Sequence, residues 1–159
     1  MKHGDVFRSI FRVIDVKPDG NCLYRCISLA IHGDQCDHLK VREDTAAWLL
    51  ENQELMRPFV VGLLQEEVDD GIEHGLPPDS TDEQKYSALM AGVLQGGHWG
   101  GNASVYALAH VYRKLIAVYR DDDSVIECKP CVKGLTIKGR IATLSLYYSG
   151  NHYLLLSKK

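Results

Sequence analysis

The sequence predicts an α+β fold, in which helices fill the first two-thirds of the chain and strands fill the last third. Two observations support this prediction. Apolar residues recur at helical spacing in segments that end by residue 113, and β-branched and aromatic runs follow from residue 115. With 159 residues and no internal repeat or low-complexity tract, the chain is expected to form one domain over residues 1–159.

The first predicted element is a strand at 12–16, a β-branched run that Pro18 and Gly20 end in a turn. Helices are predicted at 22–31, where Gly33 follows as a stop, at 39–56, where Pro58 follows, and at 84–94 and 103–113. Strands are predicted at 115–119, 124–128, 141–148 and 152–157. The apolar stripe of the helix at 39–56 consists of Leu39, Val41, Ala46, Leu49, Leu50 and Met56.

Charge and composition exclude several classes of protein. Eighteen basic and 21 acidic residues give a formal charge of −3 without a Lys or Arg block, so we expect no binding to nucleic acid or to an anionic membrane. No run of about 18 apolar residues is present, and the N-terminus is charged, so neither a membrane span nor a signal peptide is predicted. Five cysteines without an export signal are expected to be reduced thiols. A cytoplasmic location is therefore predicted, in the host cell if the protein is microbial or viral. The protein is also expected to be a monomer.

A cysteine stands between the turn at 18–21 and the apolar helix that follows it. At the first turn of a helix, unpaired backbone N–H groups and the positive end of the helix dipole stabilise a thiolate, which is the nucleophilic form of cysteine. Gly20 and Asn21 permit a sharp turn, and the N–H groups of the turn and of Cys22 are expected to converge beside the sulfur as an oxyanion hole. Cys22 is thus a candidate nucleophile, although a cysteine at a helix start is often only a small buried residue.

A nucleophilic thiol needs a base, and imidazole suits that role near neutral pH. His152 begins an apolar strand directly after a turn, 130 residues beyond Cys22. A cysteine on an early helix and a histidine on a late strand is the order found in papain-like cysteine hydrolases. Spacing alone leaves open that His152 is structural.

The segment "DGNCLYRCIS" (19–28) closely resembles a signature of the ovarian tumour (OTU) family of cysteine deubiquitinases, and "GNHYLLL" (150–156) resembles its closing Asn-His-Tyr motif. Segments 41–60 and 98–119 resemble the family's second helix and its Trp-Gly-Gly region, so the likeness covers a core of about 11–157. It implies a papain-like fold of the OTU type, with a small, mostly antiparallel sheet flanked by helices. It also implies a thiol-dependent ubiquitin hydrolase with Cys22 as nucleophile, His152 as general base and acid, and Asp19 as the acidic member of the active-site loop.

The same resemblance suggests a substrate groove and a set of partners. Trp99, Gly100 and Gly101 would line a narrow cleft for the tail of ubiquitin, which ends in two glycines; alternatively, Trp99 belongs to the core and the glycines to a loop. The expected partners are ubiquitin, polyubiquitin chains or a related modifier. No cofactor and no metal are expected.

One position departs from the family pattern. Many members have Asp or Asn two residues after the histidine, where strand periodicity places it on the imidazole's face. Leu154 occupies that position here. Asp15, Asp19 or a backbone carbonyl could orient the ring instead, whereas Asn151 should point away. The missing acid also motivates an alternative function, a non-catalytic ubiquitin-binding module.

Three further segments have simpler readings. The pair Cys128 and Cys131 has the spacing of half a zinc site or of a redox pair, with Cys36 and His38 as weak candidates for the other ligands. The acidic segment 66–83 is either a solvated loop or a contact for the arginines of the ubiquitin tail. The segment 120–124 is expected to form a hairpin turn without an assigned function.

Overall fold

The computed structural model describes residues 5–69, 76–77, 79–130, 141–150 and 152–159. Its helices are α1 (Asp5–Ile10), α2 (Cys22–His32), α3 (His38–Glu51), α4 (Gln53–Asp69), α5 (Asp82–Leu94) and α6 (Asn102–Tyr112), with a 3₁₀ turn at Gln35–Asp37. Its strands are β1 (Phe11–Ile14), β2 (Leu115–Arg120), β3 (Val125–Cys128), β4 (Thr143–Ser149) and β5 (His152–Lys158). The predicted α+β fold is confirmed.

The strands described form one five-stranded sheet in the order β1-β5-β4-β2-β3. Three of its pairings are antiparallel, and only β2 and β4 run parallel. The sheet is therefore mostly antiparallel, as predicted. Its central strand order places the last strand in sequence, β5, between β1 and β4, next to the start of α2.

The single helix predicted at 39–56 is wrong, because α3 ends at Glu51 and α4 begins at Gln53. Asn52 ends α3, with both its backbone and its side-chain N–H groups donating to the carbonyl of Trp48. Pro58 was expected to stop a helix, yet it lies inside α4. An interior proline costs about 3 kcal/mol, and the burial of Met56, Val60 and Leu64 along one face of α4 offsets that cost.

The main core lies between one face of the sheet and helices α2 to α6. Its largest fully buried apolar side chains are Leu23, Tyr24, Ile27, Leu49, Met56, Leu64, Tyr86, Leu108, Ile116 and Leu146. A smaller cluster consists of Phe11, Tyr147 and Leu156, with Val13, Tyr119 and Leu154 packed against them. Leu39 and Leu50, which were predicted in the apolar stripe, are exposed. None of the helices in the described ranges is both long and apolar enough to cross a membrane.

The core also buries an imidazole, that of His110 on α6. Its Nδ1 lies 2.8 Å from the carbonyl of Tyr106, its ring packs against Trp48 and Phe59, and its Nε2 is buried without a partner among the described residues. Burial lowers the pKa of His110, and the hydrogen bond to Tyr106 opposes that shift only in part. The folded protein therefore favours a neutral ring.

We expect His110 to make the protein less stable in mild acid. The unfolded chain takes up a proton at the ordinary histidine pKa of about 6.5, whereas the folded chain resists it until the lowered pKa of His110 is reached. Stability is thus fully present above about pH 6.5 and declines as the pH falls through the folded pKa. Urea denaturation measures the free energy of unfolding between neutral and acid pH, and we expect it to decline less steeply with falling pH for His110→Phe than for the parent. The control His32→Phe, at an exposed position, should follow the parent. The same pH dependence for all three proteins would contradict this prediction.

Candidate active site

The turn before α2 is closed by hydrogen bonds around Asp19. Its carbonyl accepts the N–H of Cys22 at 3.1 Å, and one carboxylate oxygen accepts the N–H of Asn21 at 2.9 Å. Cys22 is the first residue of α2, and its side chain is 1% exposed. The predicted placement of this cysteine at a helix start is confirmed.

The start of β5 meets the start of α2. The backbone N–H of Tyr153 donates to Sγ of Cys22 at 3.4 Å, across 131 residues of chain. His152, the preceding residue, is the first of β5 and is half-buried. The fold therefore brings the two predicted catalytic positions to one place.

The carboxylate of Asp19 points into its own turn and helix. Nε of Arg25 donates to both oxygens at 3.2 Å, and its Nη2 donates to Oδ2 at 2.9 Å. These hydrogen bonds from Arg25, with that from Asn21, lower the pKa of Asp19 to about 2. Asp19 fixes the turn, which is one of the two roles predicted for it. The described hydrogen bonds of its carboxylate are with Arg25 and Asn21 rather than with His152.

Two of the N–H groups that were expected to form the oxyanion hole are bonded within the turn. Those of Asn21 and Cys22, which were expected to point at a common site beside the sulfur, bond back to Asp19. The donors of Asn21 and Cys22 are therefore satisfied within the turn. Substrate would have to compete for these N–H groups.

A buried cation that was not predicted from the sequence forms hydrogen bonds to the turn. Arg42 on α3 is 1% exposed, and its Nη2 donates to the side-chain oxygen of Asn21 at 2.9 Å and to the carbonyls of Gly20 at 3.2 Å and His98 at 2.8 Å. Its Nη1 donates to the carbonyl of Val93 at 2.9 Å. The only sequence signal was an arginine at helical spacing from the apolar residues of α3, which is ambiguous because a long basic side chain usually reaches solvent.

The turn is also in contact with the loop before α6. Asn21 accepts the N–H of Gly97 at 2.8 Å, and a Cβ on Gly20 would lie 1.7 Å from the carbonyl oxygen of Gly97. Only glycine allows so close an approach at position 20. Gly97 itself has a φ of +83°, a conformation that side chains disfavour.

The predicted substrate residues differ in their surroundings. Trp99 is half-buried, and its ring centroid lies 6.2 Å from those of Tyr148 and Tyr153. Gly100 and Gly101 are buried, and the space beside them is filled by Leu23, Tyr24 and Ser104 for Gly100 and by Glu67 for Gly101. Trp99 thus lies beside the positions of Cys22 and His152. Packing explains the two glycines, because a side chain at either position would clash with these neighbours. A contact between these three residues and a substrate stays a prediction.

Three other residues bear on which group orients His152. Leu154 packs in the small apolar cluster with Tyr119 and Tyr147, so the usual position of the acid is apolar. Asn151 lies outside the described residues. Asp15 is exposed on the chain that leaves β1.

The family model described as OTU-like cysteine protease matches residues 17–153. The chain belongs to the OTU family. The match includes Asp19, Cys22, Arg42, Trp99 and His152 within one family domain.

Curated relatives of this OTU chain are distant and much longer. OTU domain-containing protein 3 of Mus musculus is 24% identical over 139 residues, which are 87% of this chain and 29% of that protein. OVARIAN TUMOR DOMAIN-containing deubiquitinating enzyme 7 of Arabidopsis thaliana is 26% identical over 110 residues, which are 69% of this chain and 24% of that protein. The chain therefore spans less than a third of the length of these relatives.

Solved OTU structures share its fold. The viral OTU domain protease from Farallon virus has a TM-score of 0.65 at 16% identity, covering 96% of this chain and 86% of that one. The OTU domain of OTUD1 has a TM-score of 0.64 at 20% identity, covering 96% and 88%. The Hazara virus OTU, solved bound to ubiquitin, has a TM-score of 0.60 at 16% identity, covering 96% and 84%.

Electrostatics at the OTU cysteine differ from the sequence-based expectation. Burial raises the pKa of the Cys22 thiol, and this effect exceeds the opposing effect of the N–H groups of Tyr153, Leu23 and Cys22 itself. The nearby charge of Asp19 raises it further. Burial thus outweighs the stabilisation of the thiolate that was expected from the helix start, and nucleophilic attack by Cys22 requires a base to remove the thiol proton.

The acidic segment also needs a correction. Glu67 was expected to be an exposed charge, yet it is 5% exposed and its Oε1 accepts the N–H of Ala103 at 3.0 Å. Ala103 lies in the first turn of α6, so Glu67 supplies a carboxylate to that helix's N-terminus. Glu66 and Asp69 are exposed, and residues 70–75 lie outside the described residues.

Glu67→Gln is expected to lower the free energy of unfolding by about 1 kcal/mol, because the amide keeps the shape but removes the negative charge from the N-terminus of α6. The exposed neighbour Glu66→Gln is a matched control and should change stability by less than half as much. Thermal or urea denaturation of both variants measures the difference. Equal stability of the two variants would show that the buried charge contributes nothing.

The second cysteine motif divides between described and undescribed residues. Cys128 is fully buried at the end of β3, and burial raises its pKa to about 12. Cys131 lies outside the described residues. Within the ranges that the structure describes, no three His, Cys, Asp or Glu side chains are grouped as a metal site.

Proposed function

We propose that this OTU chain is a cysteine isopeptidase that removes ubiquitin from lysine side chains. The observation that carries the proposal is the 3.4 Å contact between Sγ of Cys22 and the N–H of Tyr153, which sets the cysteine beside His152. Nucleophilic catalysis requires a thiol within reach of a base, and this contact supports the pairing of Cys22 with His152, the residue before Tyr153. Membership in a cysteine protease family supports the same chemistry.

In the proposed acylation step, His152 takes the proton of the Cys22 thiol, and the sulfur attacks the carbonyl carbon of the terminal glycine of ubiquitin. N–H groups of the turn before α2 stabilise the negative charge that develops on the carbonyl oxygen, after they exchange their hydrogen bonds to Asp19 for hydrogen bonds to that oxygen. The C–N bond then breaks, and the lysine amine leaves with the proton from His152. Ubiquitin remains as a thioester on Cys22.

In the proposed deacylation step, His152 takes a proton from water, which attacks the thioester carbonyl. The C–S bond breaks, the ubiquitin carboxylate leaves, and Cys22 recovers its proton. Cys22 and His152 are the residues assigned to bond making and proton transfer. Asp19 is assigned to shaping the turn and Trp99, Gly100 and Gly101 to the groove for the ubiquitin tail.

The relatives support ubiquitin as the substrate class. The Arabidopsis relative is named a deubiquitinating enzyme, and OTU domains that share this fold have been solved with ubiquitin, including that of Hazara virus. Another ubiquitin-like modifier with a similar tail would satisfy the same site.

Incubation with ubiquitin whose C-terminus carries a thiol-reactive electrophile tests the proposal directly. We expect one adduct by intact mass, located on Cys22 by peptide mapping and absent from Cys22→Ala. Cys36→Ala removes an exposed thiol outside the site and should be labelled as the parent is. Equal labelling of Cys22→Ala and the parent would refute the assignment of the nucleophile, and no labelling of the parent would refute ubiquitin as its substrate.

A second candidate function is ubiquitin binding without catalysis. It is favoured by the burial of Cys22, which is 1% exposed, and by the apolar surroundings of Leu154. A binder should retain ubiquitin in a pull-down but neither react with the electrophile nor release lysine. The same incubation therefore separates the two candidates.

A further inference from the structure

A row of polar side chains crosses the sheet from His152. In the register of β4 with β5, Ser149 lies directly opposite His152. In the parallel register of β2 with β4, Arg120 is opposite Tyr148, so the following residues, Asp121 and Ser149, come side by side. The row therefore runs from β5 through β4 to the end of β2.

The three side chains lie on the same face of the sheet. Side chains alternate along a strand, so residues two apart share a face. Tyr119, Tyr147 and Leu154 are in contact in the small apolar cluster. Ser149 and His152 lie two positions from Tyr147 and Leu154 and thus occupy the next row on that face. Asp121 follows the end of β2 and joins this row through its hydrogen bonds to Ser149 and Tyr147.

Hydrogen bonds hold the carboxylate in this row. Ser149 donates through Oγ to Oδ2 of Asp121 at 2.6 Å, and the hydroxyl of Tyr147 donates to Oδ1. The turn that carries Asp121 is itself fixed, since Asp122 accepts the N–H of Ser124 at 2.9 Å. Both oxygens of Asp121 are therefore held by hydroxyl groups of β4.

The hydroxyl of Ser149 has capacity left for the imidazole. It gives its single proton to Asp121, and its lone pairs remain available to accept an N–H. Residues opposite each other in an antiparallel pair have Cβ atoms about 4.5–5.5 Å apart, which a serine and a histidine can span with a hydrogen bond. The hydrogen bond from Ser149 to the Asp121 carboxylate polarises the hydroxyl, which makes its oxygen a stronger acceptor.

Cys22 lies on the opposite side of β5 from this row. The pairing of β1 with β5 ends at Ile14 opposite Leu155, and beyond that point the N–H of Tyr153 is bound by Sγ of Cys22. Ser149 and Asp121 lie on the β4 side. The His152 position is therefore between the nucleophile and a fixed carboxylate.

We propose that Asp121, acting through the hydroxyl of Ser149, is the positioning residue for the His152 imidazole. It takes the role that Leu154 cannot fill. The inference rests on the proposed function of His152 as the base for Cys22. One ring N–H donates to Ser149, which leaves the other nitrogen directed towards the thiol, and the carboxylate stabilises the ring when it carries the proton.

Asp121 is an anion in this position. Its hydrogen bonds with Ser149 and Tyr147 lower its pKa, and the nearby cation Arg8 on α1 adds to that effect. Asp122, on the same turn, is the other carboxylate that acts on it. On β2, the cation Arg120 directly precedes Asp121, and its guanidinium lies 5.9 Å from the ring of Tyr148.

The test compares Asp121→Asn and Ser149→Ala with two controls. Asp122→Asn removes the neighbouring carboxylate of the same turn, and Ser149→Thr retains the hydroxyl. With a ubiquitin-lysine substrate, we expect Asp121→Asn and Ser149→Ala to lower kcat by about 10- to 100-fold with little change in KM. Asp122→Asn should match the parent, and Ser149→Thr should recover most of the activity.

A second readout does not depend on ubiquitin. Two-bond ¹⁵N–¹H spectra recorded where the ring is neutral report which nitrogen of His152 carries the proton. The parent, Asp122→Asn and Ser149→Thr should show one predominant tautomer, whereas Asp121→Asn and Ser149→Ala should show a mixture closer to free imidazole. If Asp121→Asn keeps both the parent's tautomer and its kcat, the inference is wrong. If the parent fails to cleave ubiquitin while the tautomers differ as expected, the proposed function fails and the positioning role stands; unfolding of Asp121→Asn leaves the decision to the Ser149 pair.

Discussion

Replacing Cys22 with alanine is expected to reduce the hydrolysis of ubiquitin-lysine bonds by about 10⁴-fold or more, since the proposed covalent pathway proceeds through the Cys22 sulfur. His152→Ala should cost nearly as much, because burial raises the pKa of the Cys22 thiol and leaves it dependent on a base. The double variant should be no slower than either single variant, as residues that act as a unit are not additive. Turnover of a fluorogenic ubiquitin substrate measures all three.

Binding must be measured alongside turnover. Cys22→Ala is a small change at a buried position and should retain the fold and the affinity for ubiquitin by calorimetry. Cys36→Ala, at an exposed thiol, should retain full activity. Additive losses from Cys22→Ala and His152→Ala would contradict their joint action in one step.

The largest loss of stability is expected for Arg42→Met. Methionine fills much of the volume but removes the Arg42 donors to the carbonyls of Gly20, Val93 and His98, and leaves the side-chain oxygen of Asn21 with the N–H of Gly97. Losing the donor to these buried and half-buried acceptors should together cost about 3–5 kcal/mol. Because two of these acceptors are in the turn before Cys22, the remaining folded protein should also lose activity.

Two other variants make the Arg42 prediction specific. Arg42→Lys keeps the charge but not the planar fork that bonds several acceptors at once, so we expect an intermediate loss of stability and a larger proportional loss of kcat. Lys40→Met removes an exposed cation from the same helix, where it pairs with Asp44 at 3.4 Å, and should cost less than about 1 kcal/mol. Urea denaturation measures the loss of stability in each variant. Equal losses for Arg42→Met and Lys40→Met would show that the buried cation contributes no more to stability than an exposed one.

The fold class and the placement of Cys22 beside His152's strand were predictable because each has a local signal. A turn sequence before an apolar helical run marks the position of Cys22, and a turn before an apolar strand marks that of His152. The break between α3 and α4 was not predictable in the same way. Proline is a strong local signal, but the burial of Met56, Val60 and Leu64, which outweighs it, depends on the tertiary structure.

The features that surround the catalytic positions had no local signal. Arg42 bonds to backbone carbonyls, which every residue has, and Glu67 bonds to a backbone N–H, so neither partner is visible in the sequence. Asp121 meets Ser149 only through the parallel register of β2 with β4. The pKa of Cys22 was misjudged for a similar reason, because a helix start is local and burial is not.

The contact of Cys22 with Tyr153 has a consequence for the time course of synthesis. The two residues are 131 positions apart, and a ribosome that adds about 5–20 residues per second needs roughly 7–26 s to pass from one to the other. Until β5 emerges, Cys22 lacks both the strand that covers it and the histidine that would serve as its base. The nascent chain is therefore expected to carry an ordinary thiol, and its activity should begin only when the last strand of the sheet has joined the others.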